Sequence, residues 1–151
     1  MRSATAGRTV TVSIPGTPSP ALSPNARRRG NVWAQREATR ELREVTYWET
    51  LRLCADGGQV VVVVPFECPV SIHEHIIWPK SKGVLPDPDS IATYCKAALD
   101  GIVDAGIIAG DSHKHIASVT TSQEKGTDGQ GSIVITITEA AGAARDGGDD
   151  A

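Results

Sequence analysis

Aromatic side chains are scarce: three Trp, two Tyr and one Phe in 151 residues. A core built without them has to be aliphatic, drawn from the Val, Ile, Leu and Ala that supply most of the 40% apolar content. Sulfur is sparse as well. The one Met and three Cys include no C-x-x-C pair, since Cys54, Cys68 and Cys95 lie far apart. An odd cysteine count with no secretory signal pattern reads as reduced thiols, as expected of a cytoplasmic protein. Long apolar runs are missing too. Val60–Val64 falls well short of the ~18 residues of a membrane span. Nor is there an excess of basic residues. The formal charge of −3 excludes a uniformly basic coat for nucleic acid. No internal repeat is present, and the length suits one domain over residues 1–139 with an acidic Ala/Gly/Asp tail, 140–151, expected to be disordered.

What is there is unevenly distributed. Residues 1–55 carry nine Arg and no Lys against four Glu, whereas residues 56–151 carry six basic against fourteen acidic side chains. One half is suited to phosphates and the other to a cation.

The chain reads as alternating elements. Thr9–Ile14 alternates and is β-branched, a first strand ended by Pro15-Gly16. Residues Thr17–Asn25, rich in Pro and Ser, read as loop, and Arg27-Arg28-Arg29 follow. From Trp33 to Cys54 a long helix is expected, with Ala34, Ala38, Leu42, Val45 and Trp48 as its apolar stripe. Val60–Phe66 is β-prone, either an extra strand or an extended connector. Val70–Trp78 is a firmer strand. Ile116–Thr121 and Ser132–Thr138 alternate around Gln123–Gly131, which reads as a Gly-rich hairpin loop. The fold expected is α+β, a mixed β-sheet of four or five strands with two main helices.

The stretch from Leu85 to Ser112 carries the chemistry. Asp87 precedes Pro88, so its backbone is pushed into an extended conformation in which Asp87 and Asp89 face the same side. A helix follows. At about 100° per residue, Ile91, Tyr94, Cys95, Ala98, Leu99, Ile102 and Gly106 gather on one side, and Asp89, Thr93, Lys96, Asp100 and Asp104 on the other. Gly106 is placed to end the helix in the left-handed conformation. Ile107-Ile108-Ala109 then returns the chain to Asp111. The same residues also have a structural reading, with Asp87 as N-cap, Pro88 as first helical residue and Asp89 favoured by the helix dipole. Spacing alone leaves both open.

The ordered set Asp87-Pro-Asp89-Ser-Ile, Lys96-Ala-Ala-Leu-Asp100-Gly-Ile, Ala105-Gly106 and Asp111 resembles the signature of the RusA family of Holliday-junction endonucleases. That family reads D-x-D-N, K-A-x-x-D-x-L, A-G and a D-D turn. Ser90 stands for the usual Asn and Gly110 for the first acid of the turn. Lys96 stands seven positions after Asp89, against the family's commonest four. The resemblance implies a magnesium-dependent nuclease cutting branched DNA by paired nicks. Asp87, Asp89 and Asp111 would hold Mg2+, and Lys96 would stabilise charge on the transition-state phosphate. Paired cuts imply a homodimer.

Arg27, Arg28, Arg29, Lys80, Lys82 and Lys114 are the expected DNA contacts. A strand places His73 and His75 on one face, which raises a zinc site. No Cys or acidic partner has ligand spacing, however, and strand histidines are more often hydrogen-bonded. His113 and His115 lie just past Asp111, where they are placed to meet DNA rather than metal. Two alternatives share these residues: a non-catalytic DNA-binding protein, and a metal-dependent nuclease of flaps or nicks.

Overall fold

Apolar, mostly β-branched residues at alternate positions give three of the four strands a largely apolar inner face, and these faces close over two helices. The computed structural model describes residues 7–54 and 64–140, the side chains of Arg27, Arg28 and Arg29 excepted. Four strands, β1 (Thr9–Pro15), β2 (Val70–Trp78), β3 (Ile116–Lys125) and β4 (Ser132–Glu139), form one mixed sheet in the order β1-β4-β2-β3. β4 runs antiparallel to both β1 and β2, whereas β2 and β3 are parallel. Val12, Ile14, Ile72, Ile76, Ile133, Ile135 and Ile137 line the inner face and are buried. The fold is α+β with two main helices, α1 (Val32–Cys54) and α2 (Ile91–Asp104). α2 provides the crossover that parallel β2 and β3 require.

The expected hairpin between the last two strands is overturned, because β2 lies between β3 and β4. Alternation identifies a strand but not its neighbour. The connection crosses the end of β2, where Gly126 N–H donates to Trp78 O at 2.7 Å and Lys80 N–H donates to Asp128 O at 2.7 Å. Gly131 turns the chain at φ +68°, at a point where a Cβ would strike the Ile77 carbonyl. A fifth strand is not seen among the described residues. Val64–Phe66 is irregular, and residues 60–63 lie outside the described part. The tail beyond residue 140 also lies outside it. Thr17–Asn25, read as loop, contains two 3-10 turns, Pro20–Leu22 and one opening at Pro24. Ser19 caps the first by accepting from Ala21 N–H at 3.2 Å, and Leu22 is buried beneath it.

α2 keeps the faces its sequence assigns. Ile91, Tyr94, Cys95, Ala98, Leu99 and Ile102 are buried, and Gly106 ends the helix at φ +90° with its N–H on Val103 O. α1 departs from its expected stripe. Val45 and Trp48 are 44% and 59% exposed, and Thr46 and Thr50 are fully buried in their place. Each threonine donates its hydroxyl to the carbonyl four residues back at 2.7 Å, so neither brings an unmet polar group inside. The inner ridge is therefore Ala38-Leu42-Thr46-Thr50. Gly101 of α2 sits against it so closely that a Cβ there would collide with the Arg43 carbonyl.

Candidate functional site

Asp87 has the extended backbone expected before proline, φ −60° and ψ 142°. Asp89 does not continue the extended segment. It lies in the 3-10 turn Pro88–Ser90 that leads into α2, so the two acids are paired by a turn rather than by strand alternation. Asp87 occupies the N-cap position, yet its side chain makes no capping hydrogen bond. The cap is closed by backbone and serine instead, with Ser90 N–H and Ser90 Oγ donating to Asp87 O at 3.0 and 2.6 Å. Both acids line one cleft of about 570 Å³ with Asn25, Thr93 and Tyr94, and both are open to solvent. Burial pushes the Tyr94 phenol up.

Gln123 holds this acidic turn in place. Its Nε2 donates to Pro86 O at 2.7 Å while its Oε1 accepts from the Trp78 indole at 2.8 Å. Trp78 in turn packs edge-on to Tyr94, and Lys82 sits over its ring at 4.7 Å. Lys82 is therefore half-buried against an aromatic, whereas Lys80 and Lys114 are exposed. Nothing in the alternation of Ile116–Thr121 marks Gln123, which lies past the expected end of that strand.

Lys96 stands on the polar face of α2 and reaches Asp100 Oδ1 at 2.9 Å and Asp111 Oδ2 at 3.7 Å. Its ammonium pKa is raised, chiefly by the hydrogen bond it donates to Asp100. The structure thus joins Lys96 to the second acidic turn rather than to the first. Among the described residues no three His, Cys, Asp or Glu side chains are grouped as they would be around a metal ion.

A groove connects these parts. The Asp87/Asp89 cleft adjoins a second one through Pro24 and Thr93, and that cleft is lined by Lys96, Asp100, Gln35 and Thr39. Gln35 and Thr39 also border a third, walled by Arg36, Arg40 and Arg43 of α1. These arginines recur at steps of four and three, which puts them on one side of the helix. Arg43 is tied to Asp104 by two hydrogen bonds, at 2.5 and 2.8 Å, which raise its own pKa and lower that of Asp104. Arg40 pairs with Glu37 on the surface. The helix pattern displays these residues only as intrahelical ion pairs, so their place on a groove is not legible there. The side chains of Arg27, Arg28 and Arg29 lie outside the described residues.

Beneath α2 lies a carboxyl the motif does not include. Glu74 occupies an inward position of β2, between Ile72 and Ile76, and is 1% exposed. Its Oε1 has no hydrogen-bond partner. Burial pushes its pKa up to about 7, against a smaller downward pull from Lys96. Cys95 of α2 is also pushed up, by burial first and by Glu74 second. Period two places Glu74 with Ile72 and Ile76, and that is the signal by which the sequence could have shown it.

On the opposite, open face of the sheet, the His73 ring nitrogens meet Thr120 Oγ1 and Ser122 Oγ at 2.6 and 2.7 Å. His75 meets Ser122 Oγ at 2.6 Å and Glu124 Oε1 at 3.3 Å. All four ring nitrogens are thereby engaged across β2 and β3. Ser122, His75 and Glu124 have the partners of a nucleophile–base–acid set. They stand on the open sheet face, however, and line none of the three clefts just described. His113 is exposed and His115 half-buried, both just past Asp111.

No protein-family model matches the chain, and no curated protein matches it.

Proposed function

We propose that the chain is a magnesium-dependent endodeoxyribonuclease that cuts branched DNA, with four-way junctions as its preferred substrate. The observation that carries this reading is the groove that runs from the Asp87/Asp89 pair, past Lys96, to Arg36, Arg40 and Arg43. It offers cation ligands, a charge stabiliser and a phosphate track along one path. The donor set suits Mg2+, which takes one or two carboxylates and fills its remaining positions with water and substrate phosphate. Asp87 and Asp89 would hold the ion, which would supply Lewis-acid polarisation of the phosphoryl oxygen and activation of water. Lys96, fixed by Asp100 and Asp111, presents a positive charge to the developing oxyanion. The arginines bind the strand to one side of the cut.

One observation favours a second reading. Because Asp111 is engaged by Lys96, the chain also suits a DNA-binding protein without catalysis. Incubation with junction, flap, nicked and plain duplex DNA in magnesium separates the readings. Paired, symmetric nicks in the junction are expected. Cutting of flaps or nicks alone changes the substrate class, and binding without cleavage in magnesium or manganese overturns the enzyme.

A further inference from the structure

Aromatic rings are scarce in this chain, and most of them are inside it. Phe66, Trp78 and Tyr94 are buried, and Tyr47 is half-buried. Trp33 and Trp48 of α1 are the exceptions. Trp33 is the more open of the two, 77% exposed against 59%. Trp48 has a partner, since its ring meets Tyr47 edge-on at 5.1 Å. Trp33 has no aromatic or cationic partner among the described residues.

Its place on the helix sets it beside cations. At about 100° per residue, Trp33, Arg36, Arg40 and Arg43 fall within about 80° of arc, and Glu37, Glu41 and Glu44 follow on the other flank. The arginine flank is the one that borders the groove. Arg43 is held by Asp104 and Arg40 by Glu37. Arg36, one turn from Trp33, is exposed and makes no ion pair among the described residues. Gln35, two residues from Trp33, lines both this groove and the Lys96 cleft. An open ring and an unpaired cation thus stand together where the two clefts meet.

We propose that Trp33 is a stacking platform for an unpaired base, with Arg36 taking the phosphate beside it. In an intact duplex each base face is covered by its neighbours, so only a base that has left the stack can lie on an indole. The contact tolerates any base, because every base has a π-face. Charge complementarity selects this occupant: the cations on the ring's own flank suit a phosphate chain, and the bare ring suits the bases it carries. The bearing on substrate choice rests on the nuclease reading given above. On that reading the groove selects branched or gapped DNA by an unstacked nucleotide rather than by sequence, and the strand so held runs on into the Lys96 cleft.

Fluorescence anisotropy of the full chain at low salt, without divalent metal, tests the platform apart from cleavage. Three probes serve: a short oligo-dT, the same strand made abasic throughout, and a blunt duplex. The wild type is expected to bind oligo-dT more tightly than the abasic strand. Trp33→Ala is expected to weaken oligo-dT binding about tenfold, the scale of one lost base–aromatic stack. The abasic strand and the duplex should bind as before, and Trp33→Phe should keep most of the affinity. Trp48→Ala, which removes the other exposed indole, is expected to change nothing. Circular dichroism checks the fold of each variant. Equal oligo-dT affinity in wild type and Trp33→Ala overturns the proposal, as does a wild type that binds the abasic strand equally well. A variant that loses all three probes in proportion makes Trp33 a support of the groove and overturns stacking. A chain that never nicks a junction yet shows Trp33-dependent strand binding keeps the platform and loses the nuclease reading. A chain that nicks junctions while Trp33→Ala binds oligo-dT normally keeps the nuclease and loses the platform.

Discussion

Lys96 Nζ stands 3.7 Å from Asp111 Oδ2, so the middle of α2 is tied to the turn that leads into β3. Asp100, one helical turn on, holds the same ammonium at 2.9 Å. The lysine is thus pinned on the groove between the acidic pair and the arginines. Lys96→Ala is expected to lower the single-turnover nicking rate about 10²-fold, the size seen when a positioned electrostatic stabiliser is deleted. The ion pairs are exposed, so stability should fall by no more than ~1 kcal/mol. Nicking at saturating magnesium and enzyme isolates the chemical step. A wild-type rate would leave Lys96 as a surface pair.

Asp89→Asn keeps the shape of the side chain and removes its charge. Nicking is expected to be abolished while junction binding is kept or tightened, since a negative group near phosphate is removed and the arginines are untouched. Gel-shift and cleavage assays on the same junction check both halves. A variant that cuts at near wild-type rate removes Asp89 from the cation site.

The arginine groove predicts a salt effect. Replacing Arg36 and Arg40 by Ala is expected to lower the log–log slope of binding against salt by about 0.9 for each phosphate no longer neutralised. Replacing Arg27, Arg28 and Arg29 together is expected to do the same, because three adjacent cations precede α1. Titrations at several salt concentrations read the slope. An unchanged slope assigns those residues to plain surface.

The helix–helix contact can be tested without DNA. Gly101→Ala places a Cβ against the Arg43 carbonyl and 3.0 Å from Thr46 Cβ. Overpacking of this kind costs about 1–3 kcal/mol, against a helix-propensity gain of about 1 kcal/mol. A net loss in urea midpoint is expected. A more stable variant would mean that α1 and α2 move apart easily.

How far the sequence reaches is visible in these same residues. Both faces of α2, its glycine stop and the run of β2 follow from periodicity, because burial there is decided by hydropathy. α1 misleads because its inner ridge uses Thr46 and Thr50, whose hydroxyls are satisfied within the helix and so are free to be buried. Val45 and Trp48 score as core but face outward. The order of strands was not legible, since β3 and β4 are adjacent in sequence and separated in space by β2. Within the site, the motif names Asp87, Asp89, Lys96 and Asp111. It says nothing of Gln123, which braces the first turn from another strand, or of the arginines that a distant helix brings to the groove. Those placements depend on tertiary packing alone.

Glu74 gives the last test, one of stability against pH. Burial raises its carboxyl from 4.5 to about 7, with Lys96 and Cys95 of α2 the titratable groups facing it. Between those two pH values the native state keeps a proton that the unfolded chain has released. The native state therefore binds more protons, and stability falls as pH rises. Its contribution is intact below about 4.5 and lost as pH passes through about 7. A shift of this size corresponds to roughly 3 kcal/mol at most. Glu74→Gln is neutral at every pH and nearly isosteric. Its urea denaturation curves at pH 5 and pH 8 are expected to differ less than those of the wild type, with the variant gaining relative stability at the higher pH. Equal pH profiles in the two proteins would place the slope on another group, and Glu74 would then titrate alike in the folded and unfolded chain.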